Sequence, residues 1–129
     1  MKITFLSNYF NHHQKYVSDE FFNIADSYFF VSTSKMREER KKLGYGENEV
    51  PQYVYSFNEN AEIVSECINE SDIVITGSAP EEMLNDRKKN KKIIFRYSER
   101  PLKNGFQLWK YPMRFLKWHK SNPKNVPIY

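Results

Sequence analysis

The chain has 129 residues, of which 40% are hydrophobic and 28% charged, with one cysteine, Cys67. That length suits a single hydrophobic core, the composition excludes a disordered chain, and a solitary cysteine excludes an internal disulfide, a zinc finger and a paired-cysteine redox motif. The net charge of +4 hides an asymmetry, because residues 1–80 sum to −5 and residues 81–129 to +9, which points to an anionic partner surface for the second half.

The opening Lys2-Ile3-Thr4-Phe5-Leu6 is a short apolar run that stops at the polar loop Ser7 to His13, as a buried strand of a parallel sheet would. Val17, Phe21, Ile24 and Ala25 then recur at helical intervals and predict an amphipathic helix. Tyr28 to Val31 is a β-branched and aromatic run of strand length. Lys35 to Lys42 is charge-dense, a solvated helix or loop, and Tyr53-Val54-Tyr55 makes a weak third strand. Ser56 and Glu59 have capping-box spacing, with Ala61, Val64 and Ile68 following at helical intervals.

Asp72-Ile73-Val74-Ile75-Thr76 is the clearest strand, and it runs into Gly77-Ser78-Ala79-Pro80-Glu81-Glu82. There Pro80 suits a first helical turn and Ser78 a cap. Lys91 to Tyr97 supplies a fifth strand, Pro101 and Gly105 a connector, and Pro112 to Trp118 a last helix. Alternating strands and helices with right-handed crossovers predict one α/β domain, Rossmann-like and doubly wound, with a mostly parallel sheet. Val126-Pro127-Ile128-Tyr129 reads like the approach to a further strand, so the domain is expected to be truncated.

In open α/β sheets, ligands gather beyond the carboxyl ends of the strands, where strand order reverses. Three segments are expected to meet there: the Ser7 to Gln14 loop, Gly77-Ser78-Ala79, and Ser98-Glu99-Arg100. The Gly77 turn, with the Ser78 hydroxyl, suits a phosphate or carboxylate, or simply starts a helix. His12 and His13 either bond a ligand hydroxyl or phosphate or stand solvated, and Asn8 and Asn11 suit turn formation through side-chain to backbone bonds. Glu99 and Arg100 either position a sugar hydroxyl or anionic headgroup or form a structural ion pair.

No carboxylate or cysteine lies at ligand spacing beside the histidines, and there is no Walker motif or dinucleotide fingerprint, so neither a metal nor a cofactor is expected. Lys103, Trp109, Lys110, Arg114, Lys117 and Trp118 mix cationic and aromatic side chains as a protein resting on an anionic membrane would, and a helix packed on its own sheet with a solvated basic face explains them equally. Nucleic acid would also suit the basic patch, but no recognised binding motif accompanies it. No apolar run approaches the ~20 residues that span a bilayer, and Met1 to Leu6 is too short for a signal peptide, so a cytoplasmic protein, peripheral at the inner face of the membrane, is expected.

Taken together, Asn8-Tyr9-Phe10-Asn11-His12-His13-Gln14, Gly77-Ser78-Ala79-Pro80-Glu81-Glu82 and Phe95-Arg96-Tyr97-Ser98-Glu99-Arg100 resemble the amino-terminal lobe of bacterial retaining glycosyltransferases of the GT-B fold, family 4-like, over nearly the whole chain. The resemblance implies an acceptor-binding lobe, in which Asn11, His12, His13, Gly77, Ser78, Glu99 and Arg100 line the acceptor side of a cleft. It further implies a saccharide or lipid-linked acceptor and a nucleotide-sugar donor held by a second lobe, whose charged groups would stabilise the leaving diphosphate without a metal. These residues alone would then be inactive. Many relatives carry a glycine pair after the first strand and a His-Asp pair after the fifth; here those places hold Asn-Tyr-Phe-Asn-His-His and Ser98-Glu99, so no catalytic residue is assigned. A stand-alone flavodoxin-like binding or regulatory module and a basic nucleic-acid-binding domain are the alternatives.

Overall fold

A computed structural model of the chain describes residues 1–35, 38–44, 49–97, 112–113 and 115–116. The strands are β1 (Lys2–Ser7), β2 (Ser27–Ser32), β3 (Val54–Ser56), β4 (Ile73–Thr76) and β5 (Ile94–Arg96). The helices are α1 (His12–Ile24), α2 (Glu38–Lys42), α3 (Ala61–Glu70) and α4 (Asn85–Lys89), the last preceded by a 3₁₀ turn, Glu81–Leu84. Every strand pairing is parallel, and the order across the sheet is β3-β2-β1-β4-β5. The expected Rossmann-like sheet is therefore present and, among the described residues, wholly parallel.

Strand β1 lies at the centre, and its buried pattern follows from being covered on both faces. Its residues alternate between two cores. Leu6 joins Val31, Val64, Ile68, Val74, Leu84 and Ile94 on the side of α3, whereas Ile3 and Phe5 join Phe10, Tyr28, Phe30 and Tyr53 on the side of α1. Aromatic rings dominate the second core, with Phe30 5.2 Å from Phe5 and 4.9 Å from Phe10 between centroids. Such tilted and edge-on pairs add to what area burial alone supplies.

A buried cation fastens the α3 side. Arg87 has no exposed surface, and its guanidinium donates to the carbonyls of Ile68 and Ser71 (2.9 and 2.6 Å), Asp72 (2.8 Å) and Ile93 (2.9 and 3.1 Å). Two of these acceptors belong to the end of α3, which otherwise leaves carbonyls without partners, and the other two immediately precede β4 and β5. Burial pushes the Arg87 pKa down to about 10, far enough above neutrality that the group stays charged.

Two expected caps differ from the structure. Ser56 ends β3, and its carbonyl accepts from the amides of Glu59 and Asn60 in a turn, while Asn60 takes the N-cap position of α3 without a side-chain bond. Ser56 is thus a full turn too early to cap. Pro80, in an extended conformation, immediately precedes the 3₁₀ turn, which leaves Ser78 outside the capping position. Cys67 is a buried residue of α3, as a small core residue would be.

Candidate functional site

Strand order reverses between β1 and β4, because β1 connects to β2 on one side while the chain returns from β3 to β4 on the other. In a sheet of this kind the crevice opens beyond the carboxyl ends of those two strands. Ser7 ends β1 there. Its hydroxyl is buried, donates to Asn8 Oδ1 (3.3 Å) and accepts from Gln14 Nε2 (3.0 Å) on the first turn of α1.

The Asn8–Asn11 loop is shaped by its own side chains, as the sequence suggested. Asn8 Oδ1 accepts from the Tyr9 amide (2.9 Å), and Asn11 Oδ1 accepts from the amides of His13 (2.9 Å) and Gln14 (3.3 Å). Asn11 is therefore the N-cap of α1. The His12 and His13 rings stand 3.9 Å apart between centroids, with His13 the more exposed. Phe10 anchors the loop by pushing its ring into the aromatic core. On the neighbouring side, Ser32 donates to the Asn8 carbonyl (3.3 Å) and Thr33 to that of Ser7 (3.1 Å), so the β2 exit braces the β1 exit.

Gly77 follows β4 at the same edge. Its amide donates to the Leu6 carbonyl (2.7 Å), and a Cβ built there would lie 3.2 Å from Ser7 Oγ. Because Gln14 and Asn8 hold that hydroxyl in place, it has little room to give. Gly77→Ala is expected to cost about 1 kcal/mol, the low end of overpacking, read as a lower urea midpoint with an unchanged slope. Ser78, next along, is exposed.

The β4 and β5 exits are joined by charge. Glu81 accepts two bonds from Arg96 (2.6 and 3.0 Å) and one from Lys88 Nζ (2.7 Å). Burial works to raise the Glu81 pKa, but the hydrogen bonds from Arg96 and then Lys88 outweigh it and hold the carboxyl below its ordinary value. A folded-state pKa below the unfolded one means that the ionised carboxylate stabilises the fold above pH 4.5, its ordinary value, and that this contribution disappears as pH falls through the lower folded value. Wild type is expected to lose stability over that acid range, and Glu81→Gln to show a flatter profile, measured by urea unfolding at stepped pH.

The structure thus brings Asn11, His12 and His13 to the same sheet edge as Gly77 and Ser78, with Ser7 in contact with both segments. The Tyr97 amide donates to the Thr76 carbonyl (2.8 Å), so β5 also exits at this edge. Glu99 and Arg100, together with Lys103, Trp109, Lys110, Arg114, Lys117 and Trp118, lie outside the described residues. Sequence reasoning placed Ser7 and Gln14 in the loop at this edge without giving either a role, and it missed the Glu81–Arg96 pair. Gln14 could have been found from its place three residues after the capping Asn11, whereas nothing local marks the ion pair.

Among the described residues, no group of three or more His, Cys, Asp or Glu is arranged to hold a metal ion, and no helix is long and apolar enough to cross a membrane. Fold and edge together define a small Rossmann-like α/β domain in which the Ser7–Gln14 loop and the Gly77 turn meet at the point where strand order reverses. The chain matches no family model, and searches of curated proteins and of solved structures return no match.

Proposed function

We propose that this chain is the acceptor-side lobe of a two-lobe glycosyltransferase of GT-B type, and that the β1/β4 crevice takes a saccharide acceptor. The observation that supports this most is the chemistry of the rim. Asn8, Asn11, Gln14, Ser78 and the two histidines offer amide, hydroxyl and imidazole groups on loops held by Phe10 and Gly77, with the buried Ser7 hydroxyl bracing Asn8 and Gln14. A polyhydroxylated ligand is recognised by fixed donors and acceptors of this kind, whereas a phosphate would call for cations or a glycine-rich loop. A nucleotide-sugar donor would be held by a second lobe facing this edge, where a positive potential would stabilise the leaving diphosphate. The excess of basic residues after residue 80 suits a protein working peripherally at the inner, anionic face of a membrane on a lipid-linked acceptor.

On this reading the chain binds neutral oligosaccharides and transfers nothing. His13→Ala and Ser78→Ala remove exposed side chains and leave the core intact. Each is expected to weaken saccharide binding about fivefold, from the loss of one hydrogen bond of roughly 1 kcal/mol. A glycan array followed by titration of any hit checks this. Binding of free nucleotide at this edge with no saccharide binding would sink the reading.

A further inference from the structure

The large apolar side chains of α1 are Tyr16, Val17, Phe21, Phe22 and Ile24, and all but Phe21 are exposed, Tyr16 to 76% and Ile24 to 67%. The buried residue of this helix is Ser18. Helical spacing gathers Tyr16, Val17 and Ile24 on one side, with Glu20 and Asn23 between them. A helix at a protein surface ordinarily turns its polar face to water, whereas α1 presents an apolar ridge.

A hollow runs beside that ridge. Right-handed crossovers put α1 on one face of the sheet and α3 and α4 on the other, and among the described residues no helix covers β4 and β5 on the α1 face. An apolar cavity of about 410 Å³ lies there, with Ile73, Ile75, Phe95 and Tyr97 along its floor and Val17 and Ile24 on its wall. Two strands and their flanks make a floor about 10 Å wide, which is roughly the diameter of one helix.

We propose that a second copy of this chain fills the hollow. A two-fold axis parallel to the strands, placed between ridge and hollow, turns one copy over so that each ridge lies in its partner's hollow. The two α1 helices then run side by side between two sheets and meet across the axis through Val17 and Ile24. Because ridge and hollow belong to one surface, the contact is isologous and closes at two copies. Taking roughly 150–200 Å² for a large side chain, the exposed parts of Met1, Tyr16, Val17, Ile24 and Tyr97 come to about 500 Å², most of the ~800 Å² that each partner gives to a standard interface. Glu20 and Asn23 supply part of the remainder and limit the depth of seating, so a dimer that dissociates in the micromolar range is expected. The inference is independent of the saccharide reading, because it uses a face of the sheet and not the loops at its edge.

Sedimentation velocity of the full chain, without lipid, between low-micromolar and several-hundred-micromolar concentrations tests it. The expected result is a reversible monomer–dimer equilibrium that persists in high salt, since apolar burial and not charge drives it. Ile24→Asp and, separately, Tyr16→Asp are expected to weaken dimerisation about tenfold or more with circular dichroism unchanged. Ile63→Asp, at an exposed position of α3 on the other side of the sheet, should leave it intact. A chain that stays monomeric at every concentration overturns the proposal, and the hollow then belongs to the chain itself or to an apolar ligand. A dimer that dissolves in high salt overturns it too, since the contact would then join the acidic and basic halves. So does a dimer indifferent to both ridge variants.

Discussion

Replacing Arg87 by methionine is expected to remove about 4 kcal/mol of stability, a large part of the roughly 5–15 kcal/mol that a domain possesses. The side chain is fully buried, and its guanidinium satisfies the carbonyls of Ile68, Ser71, Asp72 and Ile93. Methionine fills a similar space and gives up the charge, but it donates nothing. The Ile93 carbonyl keeps a long bond from the Val74 amide (3.4 Å), while each carbonyl left without a partner costs roughly 1–3 kcal/mol, partly relieved where water enters. Lysine keeps the charge and lacks the planar fork, so Arg87→Lys should recover only part of the loss. Urea unfolding measures both. An Arg87→Met midpoint equal to wild type would show that the carbonyls find other partners without cost.

The second large effect joins stability to the crevice. Phe10 sits in the loop after β1, yet its ring is buried, 4.9 Å from Phe30 and 6.1 Å from Tyr53 between centroids. Phe10→Ala is expected to cost about 3 kcal/mol, the low end for deleting a buried phenylalanine, because the site lies at the edge of the core and can partly collapse. Its further effect is local. Without the anchor, the Asn8 carbonyl still accepts from Ser32 Oγ and the Ser34 amide, whereas Asn11 is left with bonds local to the start of α1, so amides 9–11 should exchange with solvent faster than the loss of global stability explains. Exchange that rises in step with the global loss would mean the ring does not fix the loop.

The central strands were legible because Ile3 to Leu6 and Ile73 to Thr76 are short, mostly apolar and β-branched or aromatic runs that start just after a charged residue and stop at a polar loop. The α1 helix was legible from its stripe, although Val17 and Ile24 of that stripe are exposed, since periodicity shows which face is apolar and not whether anything covers it. Spacing misled at Ser56, where the Ser-x-x-Glu pattern occurs in a turn at the end of β3. Arg87 was invisible in the run Asn85-Asp86-Arg87-Lys88-Lys89, because its acceptors come from segments that only the folded chain brings together. The same holds for Glu81 and Arg96, fifteen residues apart and joined through adjacent strands. In the crevice, the capping role of Asn11 could be read locally, whereas the close approach of Gly77 to Ser7 depends on β1 and β4 being neighbours.

Amide chemical-shift mapping of the full chain, titrated with neutral oligosaccharides, tests the proposed acceptor crevice most directly. Shifts confined to Ser7–Gln14 and Gly77–Ala79, weakened together by Ser78→Ala, are the predicted outcome. Saturable shifts clustered elsewhere on the domain, with those two loops unmoved, would contradict it.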